Sequence, residues 1–276
     1  MGDYLRPRGL DEALQALTRP FTVLAGGTDF YPARVGRAVT EDLLDIAGIA
    51  TLRGISETSA GWRVGATTTW SELVEADLPP MFDGLKQAAR EVGGRQIQNT
   101  GTIAGNICNA SPAADGVPAL LALDAEVELA RRDGARRLPL ASFITGVRTT
   151  ARQPGELVVA LHVRRPRGEA RSAFLKLGAR RYLVISIAMA STLIEVEDGK
   201  VKAARVAVGA CSPVAQRLPA LEHALVGATI DADLGERVAL SHLAPLSPID
   251  DVRGSAGYRS EVALVLLRRL LSKVAA

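Results

Sequence analysis

Residues Asn99 to Asp115 read "NTGTIAGNICNASPAAD". The stretch is a glycine-rich turn, a short extended run and a polar loop that closes on one carboxylate, Asp115. No phosphate-binding helix pattern follows it. A second glycine segment, "AGGTDF", lies upstream at Ala25 to Phe30. Glycines permit positive φ and let a ligand approach the backbone closely. Successive N–H groups in such a segment point into one concavity and bind anions without a lysine. Thr28 and Thr102 add hydroxyl donors. Either segment alone is an ordinary tight turn. Two such nests face to face suit a diphosphate, one phosphate to each, and Asp115 can accept hydrogen bonds from sugar or ribityl hydroxyls. Diphosphate, polyol and flat rings together outline a dinucleotide such as FAD. Neither G-x-x-x-x-G-K-[ST] nor G-x-G-x-x-G occurs, which excludes the common nucleotide loops.

The rest of the chain sets the frame. It has 276 residues, 47% apolar and 23% charged, enough to bury a substantial core. No apolar run approaches the roughly 20 residues of a membrane span. The start, "MGDYLRPRGLDEALQAL", has no apolar h-region, so no signal peptide is expected, and Arg6 stands where a myristoylation motif needs Ser or Thr. Two cysteines, Cys108 and Cys211, make no disulfide framework and are too few to hold an iron–sulfur cluster alone. A reducing cytoplasm is the expected setting. The net charge of +3 is spread over several turns, and aromatics are only 4%, unlike the basic stripe with stacking rings of a nucleic-acid binder.

Periodicity predicts α+β organisation twice over. "GLDEALQAL" has helical spacing, "FTVLAGGTDF" and "EDLLDI" hold short strands, and "LRGISETSAGWRVGA" reads as two strands around Ser59-Ala60-Gly61. "WSELVEA" and "PPMFDGLKQAAREV" read as helices. "ALLALDAEVELARR" passes from helix or buried run into a strand, with Asp124, Glu126 and Glu128 on its solvated face. Asp133-Gly134 and Asp198-Gly199 mark hairpins. The polar break "RRPRGEAR" places a boundary, giving domains 1–167, with subdomains near 1–52 and 53–167, and 168–276. Past it come strands, then helical "PALEHALVG", "DLGERVALSHL" and "SAGYRSEVALVLLRRLL". In the last of these Ala263, Leu266, Leu267 and Leu270 share a face.

Other sites are set aside. His162, His223 and His242 have no metal-like neighbours at helical spacing. No G-x-S-x-G elbow occurs, and Cys211-Ser212 has no supporting base nearby in sequence. No catalytic or metal residue is assigned.

Five segments in order, "LAGGTDF", "GTIAGNICNASPAADGVPALLALDAEVEL", "FLKLGARR", "VAVGACSPVAQR" and "PIDDVRGSAGYR", resemble the FAD-binding medium subunit of the molybdenum hydroxylases, the group of carbon monoxide and xanthine dehydrogenases. The resemblance spans essentially the whole chain. It implies a vanillyl-alcohol-oxidase-type (PCMH) FAD-binding domain, then a smaller α+β domain with a three-stranded antiparallel sheet and a helical bundle. It implies that Ala25, Gly26, Gly27, Thr28 and Asp29 form the first diphosphate loop, and Thr102, Ile103, Ala104, Gly105 and Asn106 the second. By the same resemblance Asp115 holds the ribityl or sugar part, Lys176 lies near the flavin ring, and Val92 and Val158 line the cofactor. The implied partners are a large molybdopterin subunit and a small subunit with two [2Fe–2S] clusters, as a dimer of heterotrimers, with an external electron acceptor.

The chain departs from the family pattern in three places. Ala104 stands where a glycine is usual, so its φ should be negative. Gln96 to Gly101 lacks the two arginines often found there. Val184-Ile185-Ser186 replaces a common Asp-Ile-Ala or Asp-Tyr-Ala, so Ile185 is expected to cover the flavin where relatives have tyrosine. Two alternatives stay open: a self-sufficient flavin oxidoreductase of the same fold, and a scaffold with a degenerate pocket. "AGGTDF" has no His or Cys, so the flavin is expected to be non-covalent.

Overall fold

The computed structural model describes residues 2–275. The chain opens with β1 (Tyr4–Leu5), helix α1 (Leu10–Ala16), β2 (Thr22–Leu24) and β3 (Leu43–Asp45). These strands form a parallel sheet in the order β1-β3-β2, with Leu43 opposite both Tyr4 and Thr22. Ala13, Leu14 and Leu17 of the α1 stripe bury against Leu44, Ile46, Ile49 and Leu52, so helical spacing becomes a small core.

The second layer runs through β4 (Ile55–Thr58), β5 (Gly61–Gly65), α2 (Trp70–Glu75), α3 (Asp83–Glu91), α4 (Arg95–Thr100), α5 (Ile103–Asn109) and α6 (Gly116–Ala122). It continues with β6 (Glu126–Arg131), β7 (Gly134–Pro139), α7 (Leu140–Phe143), the small pair β8 (Ile144–Gly146) and β9 (Thr149–Thr150), and β10 (Leu157–Arg164). An antiparallel sheet of order β4-β5-β10-β6-β7 results. Its central strand β10 is buried on both faces. The register shifts between Val158 and Ala160, leaving Val159 as an extra residue. That bulge switches the side-chain parity. Leu157 and Val159 pack on the first core, while Val158, Leu161 and Val163 all face the main one.

The third layer holds β11 (Glu169–Leu177), β12 (Ala188–Glu197), β13 (Lys200–Gly209) and β14 (Gln216–Arg217), antiparallel in that order. Three long strands are therefore joined by a two-residue fourth, one more than expected. Asp198 (φ 52°) and Gly199 (φ 72°) form the β12–β13 turn, both left-handed as a type I′ hairpin requires. Helices α8 (Pro219–Leu225) and α9 (Ala256–Ala275) cover this sheet. Between them, "DLGERVALSHL" forms two 3-10 segments, Ala232–Arg237 and Leu240–Leu243, and not the α-helix its sequence predicts. Ala263, Leu266, Leu267 and Leu270 are buried as their spacing requires.

The acidic strand is not simply wet. Glu126 accepts from Arg164 at 2.8 Å, and Glu128 lies 2.5 Å from Nε2 of His162, its diagonal neighbour on β10. Asp124 leaves the strand at φ 47° and pairs with Arg205 and Arg217. Cross-strand partners satisfy these carboxylates, which accounts for His162 as well.

Candidate functional site: a cavity between two glycine segments

The two glycine segments meet. A Cβ on Gly26 would stand 2.0 Å from the Thr100 carbonyl oxygen and 2.9 Å from Gly101 Cα. One on Gly101 would stand 3.3 Å from Thr28 Oγ1. Gly27 sits at φ 68°, where glycine is at ease, and its carbonyl accepts from Tyr31 N at 3.1 Å. Thus β2 delivers the first segment directly onto the second.

The second segment is not the loop its sequence suggests. Thr102 N-caps α5, its hydroxyl accepting from Gly105 N at 3.0 Å. Backbone bonds from Ile103 N to Thr68 O and from Trp70 N to Gly101 O, at 3.0 and 3.2 Å, staple it to the start of α2. Ala104 lies in the first turn of α5 and so has helical, negative φ, which accounts for its tolerance of a side chain.

Both segments form one wall of a cavity of about 860 Å³. Ala25, Gly26, Gly27, Thr28, Asp29, Thr102, Ala104, Gly105 and Asn106 line it, with Val92 and Val158. Ile46, Ala66 and Leu157 extend its apolar side; Arg148 and Arg152 bring positive charge. The size falls in the roughly 300–1,000 Å³ range of small-molecule sites. Asn106 Oδ1 is buried in this wall without a hydrogen-bond partner. A buried unpaired acceptor is costly unless a ligand satisfies it. Converging backbone N–H groups, hydroxyls and cations suit a dinucleotide diphosphate, and the orphaned Asn106 oxygen suits a donor elsewhere on the ligand.

Cys108 also opens onto the cavity. It is exposed on the cavity wall, and the protein packed around the thiol pushes its pKa up, with Arg152 pulling the other way. It is therefore a neutral thiol near pH 7 and a poor nucleophile.

Ile103 is fully buried in the main core and does not reach the cavity. Asp115 and Lys176 lie apart from that wall and pair with each other. Lys176 Nζ donates to Asp115 Oδ2 at 2.8 Å, and Ser186 Oγ donates to Asp115 Oδ1 at 2.5 Å. Both members of the ion pair are nearly buried, at 6% and 10% side-chain exposure. Burial, the largest influence, holds the Asp115 carboxyl above its ordinary value against the opposing pull of Lys176 and Ser186. Asp115 opens α6 while Lys176 lies on β11, so the pair joins the second and third layers. Ile185 lies on the loop after β11, 54% exposed and outside this cavity.

Sequence reasoning passed over Ser186, Arg148, Arg152 and the cavity face of Cys108. Ser186 had a signal, standing beside Ile185 in a segment already singled out. Arg148 had none: it reaches the cavity because the β8–β9 turn holds it at φ 57°.

Comparison with known proteins agrees with this geometry. Residues 1–166 match the family described as FAD binding domain in molybdopterin dehydrogenase, and residues 173–274 the CO dehydrogenase flavoprotein C-terminal domain. The chain is 31% identical to the glyceraldehyde dehydrogenase medium chain of Sulfolobus acidocaldarius, over 99% of this chain and 98% of that one. It is 32% identical to the carbon monoxide dehydrogenase medium chain of Afipia carboxidovorans, over 99% and 96%. It superposes on the solved structure of reconstituted CO dehydrogenase from Oligotropha carboxidovorans with a TM-score of 0.90 and 29% identity, covering 100% of this chain and 98% of that one. The expected family and fold are borne out: this chain belongs to the molybdopterin-dehydrogenase flavoproteins, as an oxidoreductase subunit with their FAD-binding domain followed by the CO dehydrogenase flavoprotein C-terminal domain.

Proposed function

We propose that the chain is the electron-transferring FAD subunit of a multi-subunit molybdenum hydroxylase. The carrying observation is the convergence of two glycine segments on one cavity with an orphaned buried amide oxygen. Bound FAD would collect electrons from [2Fe–2S] clusters of a small partner and pass them to an external acceptor, while a large molybdopterin partner oxidises the substrate. Relatives named as medium chains support this division of labour, as does the lack of enough thiols here for clusters. We place the domain boundary at 167/168 and the working compartment in the cytoplasm. No helix among the described residues is long and apolar enough to cross a membrane.

In this reading the chain's own groups have distinct tasks. The N–H groups of Gly26 to Thr28 and of Ala104, with the Thr28 and Thr102 hydroxyls, would hold the diphosphate, since Ile103 N and Gly105 N are already engaged, and Arg148 and Arg152 would offset its charge. Asn106 Oδ1 accepts from a ligand donor. Val92 and Val158 keep water from the rings. Lys176 supplies a fixed positive charge beside the cofactor, in the orientation that Asp115 imposes. Fixed cations favour the reduced, anionic form of a flavin.

The test is anaerobic. FAD-loaded chain alone should bleach with dithionite but not with the substrate of the holoenzyme. Adding the two partner chains should restore bleaching by substrate. Rapid substrate-driven bleaching of the isolated chain would establish a self-sufficient flavin enzyme instead.

A further inference from the structure

Arg148, Thr150 and Arg152 line the flavin cavity, and the residues between them, Thr149 and Ala151, do not. That alternation is the one an extended chain imposes. It sets two guanidinium groups, with a hydroxyl between them, on one face of the cavity. The β8–β9 ribbon that carries them is fixed by its backbone. Arg148 N donates to the Ala110 carbonyl at 2.9 Å, and Ala151 N to the Phe143 carbonyl at 2.7 Å. Arg148 (φ 57°) and Ala110 (φ 47°) are both left-handed without being glycine. Conformations of this kind are costly and cluster at ligand clamps.

Neither guanidinium is committed to a close ion pair. Arg148 reaches Asp29 only at 3.9 Å, with both side chains more than half exposed. A pair so loose and so wet contributes little. Arg152 donates to the Glu156 carbonyl at 2.9 Å and has no carboxylate within 4.0 Å among the described residues. The Glu156 carboxylate is taken instead by Arg136, at 2.6 and 2.9 Å.

Their position along α5 indicates which part of a ligand they meet. Thr102 caps the start of α5, and the ribbon bonds to Asn109 and Ala110 at its other end. The seven residues of α5 span about 10 Å. Lys176, the cation assigned to the flavin rings, is not among the residues lining this cavity. The ribbon therefore faces a part of the ligand beyond the Thr102 nest and away from the rings. FMN and FAD share rings, ribityl chain and first phosphate. They differ by an adenosine monophosphate.

We propose that Arg148, Thr150 and Arg152 form the subsite for the adenosine monophosphate half of FAD and set the preference for FAD over FMN. The proposal rests on the flavin reading given above. Guanidinium forks match phosphate oxygens in pairs, and the Thr150 hydroxyl suits a ribose. Ile46 and Leu157, which line the same cavity, suit the base.

The test uses the full chain stripped of flavin and titrated with FAD, FMN and riboflavin, followed by flavin fluorescence. The parent should bind FAD at least about tenfold more tightly than FMN. The Arg148→Gly/Arg152→Met variant should lose about tenfold or more in FAD affinity, the equivalent of at least one hydrogen bond, and keep its FMN and riboflavin affinities. Its melting temperature without flavin should match that of the parent, because glycine is at ease at φ 57° and both arginines are exposed. Arg152→Met alone, which leaves the turn untouched, should show a smaller loss with the same selectivity. Arg148→Lys/Arg152→Lys should regain part of the preference for FAD, which a merely structural role would not predict. Equal losses for FAD and FMN, or unchanged FAD affinity, would overturn the subsite and leave flavin binding standing. Failure of the parent to bind any of the three would overturn the subsite and the flavin reading together.

Discussion

Gly26 lies so close to Thr100 that any side chain at Gly26 would strike a carbonyl oxygen. The obstacle is backbone, with no flexible tip to move aside. Gly26→Ala should therefore push the two glycine segments apart. Overpacking of this kind costs about 1–3 kcal/mol. Chemical denaturation should show that loss, and flavin content after purification should fall well below that of the parent. A variant with full flavin and parental stability would show that the segments need not touch.

Asn106 should separate binding from stability. Its Oδ1 has no partner in the protein, so Asn106→Ala removes an unsatisfied acceptor and leaves the apoprotein within about 1 kcal/mol of the parent. Affinity for FAD should drop about tenfold, the equivalent of one lost hydrogen bond. Equal FAD affinity in titrations of the two apoproteins would remove Asn106 from the site.

The Asp115–Lys176 pair changes what an Asp115 substitution should do. Asp115→Ala leaves an ammonium buried without its counter-charge, an effect of about 3–5 kcal/mol. Lys176→Met strands the carboxylate in the same way. The double variant should be much less destabilised than the sum of the two, because neither charge remains. Additive losses in urea midpoints would show that the pair is not coupled.

Arg259 is almost fully buried and donates to the carbonyls of Ile187 and Ala210, at 2.6 and 3.0 Å, and to Asp251 at 2.6 Å. Hydrogen bonds from Arg253 N and from both guanidinium groups hold the Asp251 carboxyl down at about 2, from an ordinary 3.8. A depressed acid stabilises the fold fully above its unfolded value and loses that contribution as pH falls through the folded one. Acid should therefore erode stability between about pH 4 and pH 2. Asp251→Asn should be less stable at pH 7 and show a flatter decline across that window. Parallel acid limbs in the two proteins would assign the effect elsewhere.

The flavin should leave with acid. "AGGTDF" offers no attachment residue, and Cys108 is held as a neutral thiol. Trichloroacetic acid should give a colourless pellet and intact FAD in the supernatant. A yellow pellet would prove a covalent link.

Much of this was legible in the sequence because it is written locally. The Asp198-Gly199 turn needs two left-handed residues and carries two that accept it. The α9 stripe repeats at helical spacing. The start of α5 was misread for an equally local reason: Thr102 caps the helix, but Gly105 stands where a capping box would show Glu or Gln. The 3-10 segments after α8 escaped because helical spacing alone does not separate them from an α-helix. The Asp115–Lys176–Ser186 cluster joins positions up to 71 residues apart. Sequence can name such residues by resemblance but cannot reveal that they bond one another.

The order of synthesis gives the cavity a history. Its lining residues run from Phe21 to Val158, so every wall has been made before β11 begins. The main core beneath it takes Phe174, Met189, Leu193 and Ala207 from later strands, and the clasp on Asp115 waits for Lys176 and Ser186. The second core closes later still, when α9 supplies Leu266, Leu267, Leu270 and Leu271. A nascent chain stalled near residue 165 would carry all the cavity-lining residues but lack the core and the clasp that hold them in place. Flavin capture should therefore lag behind synthesis of the residues that touch the flavin.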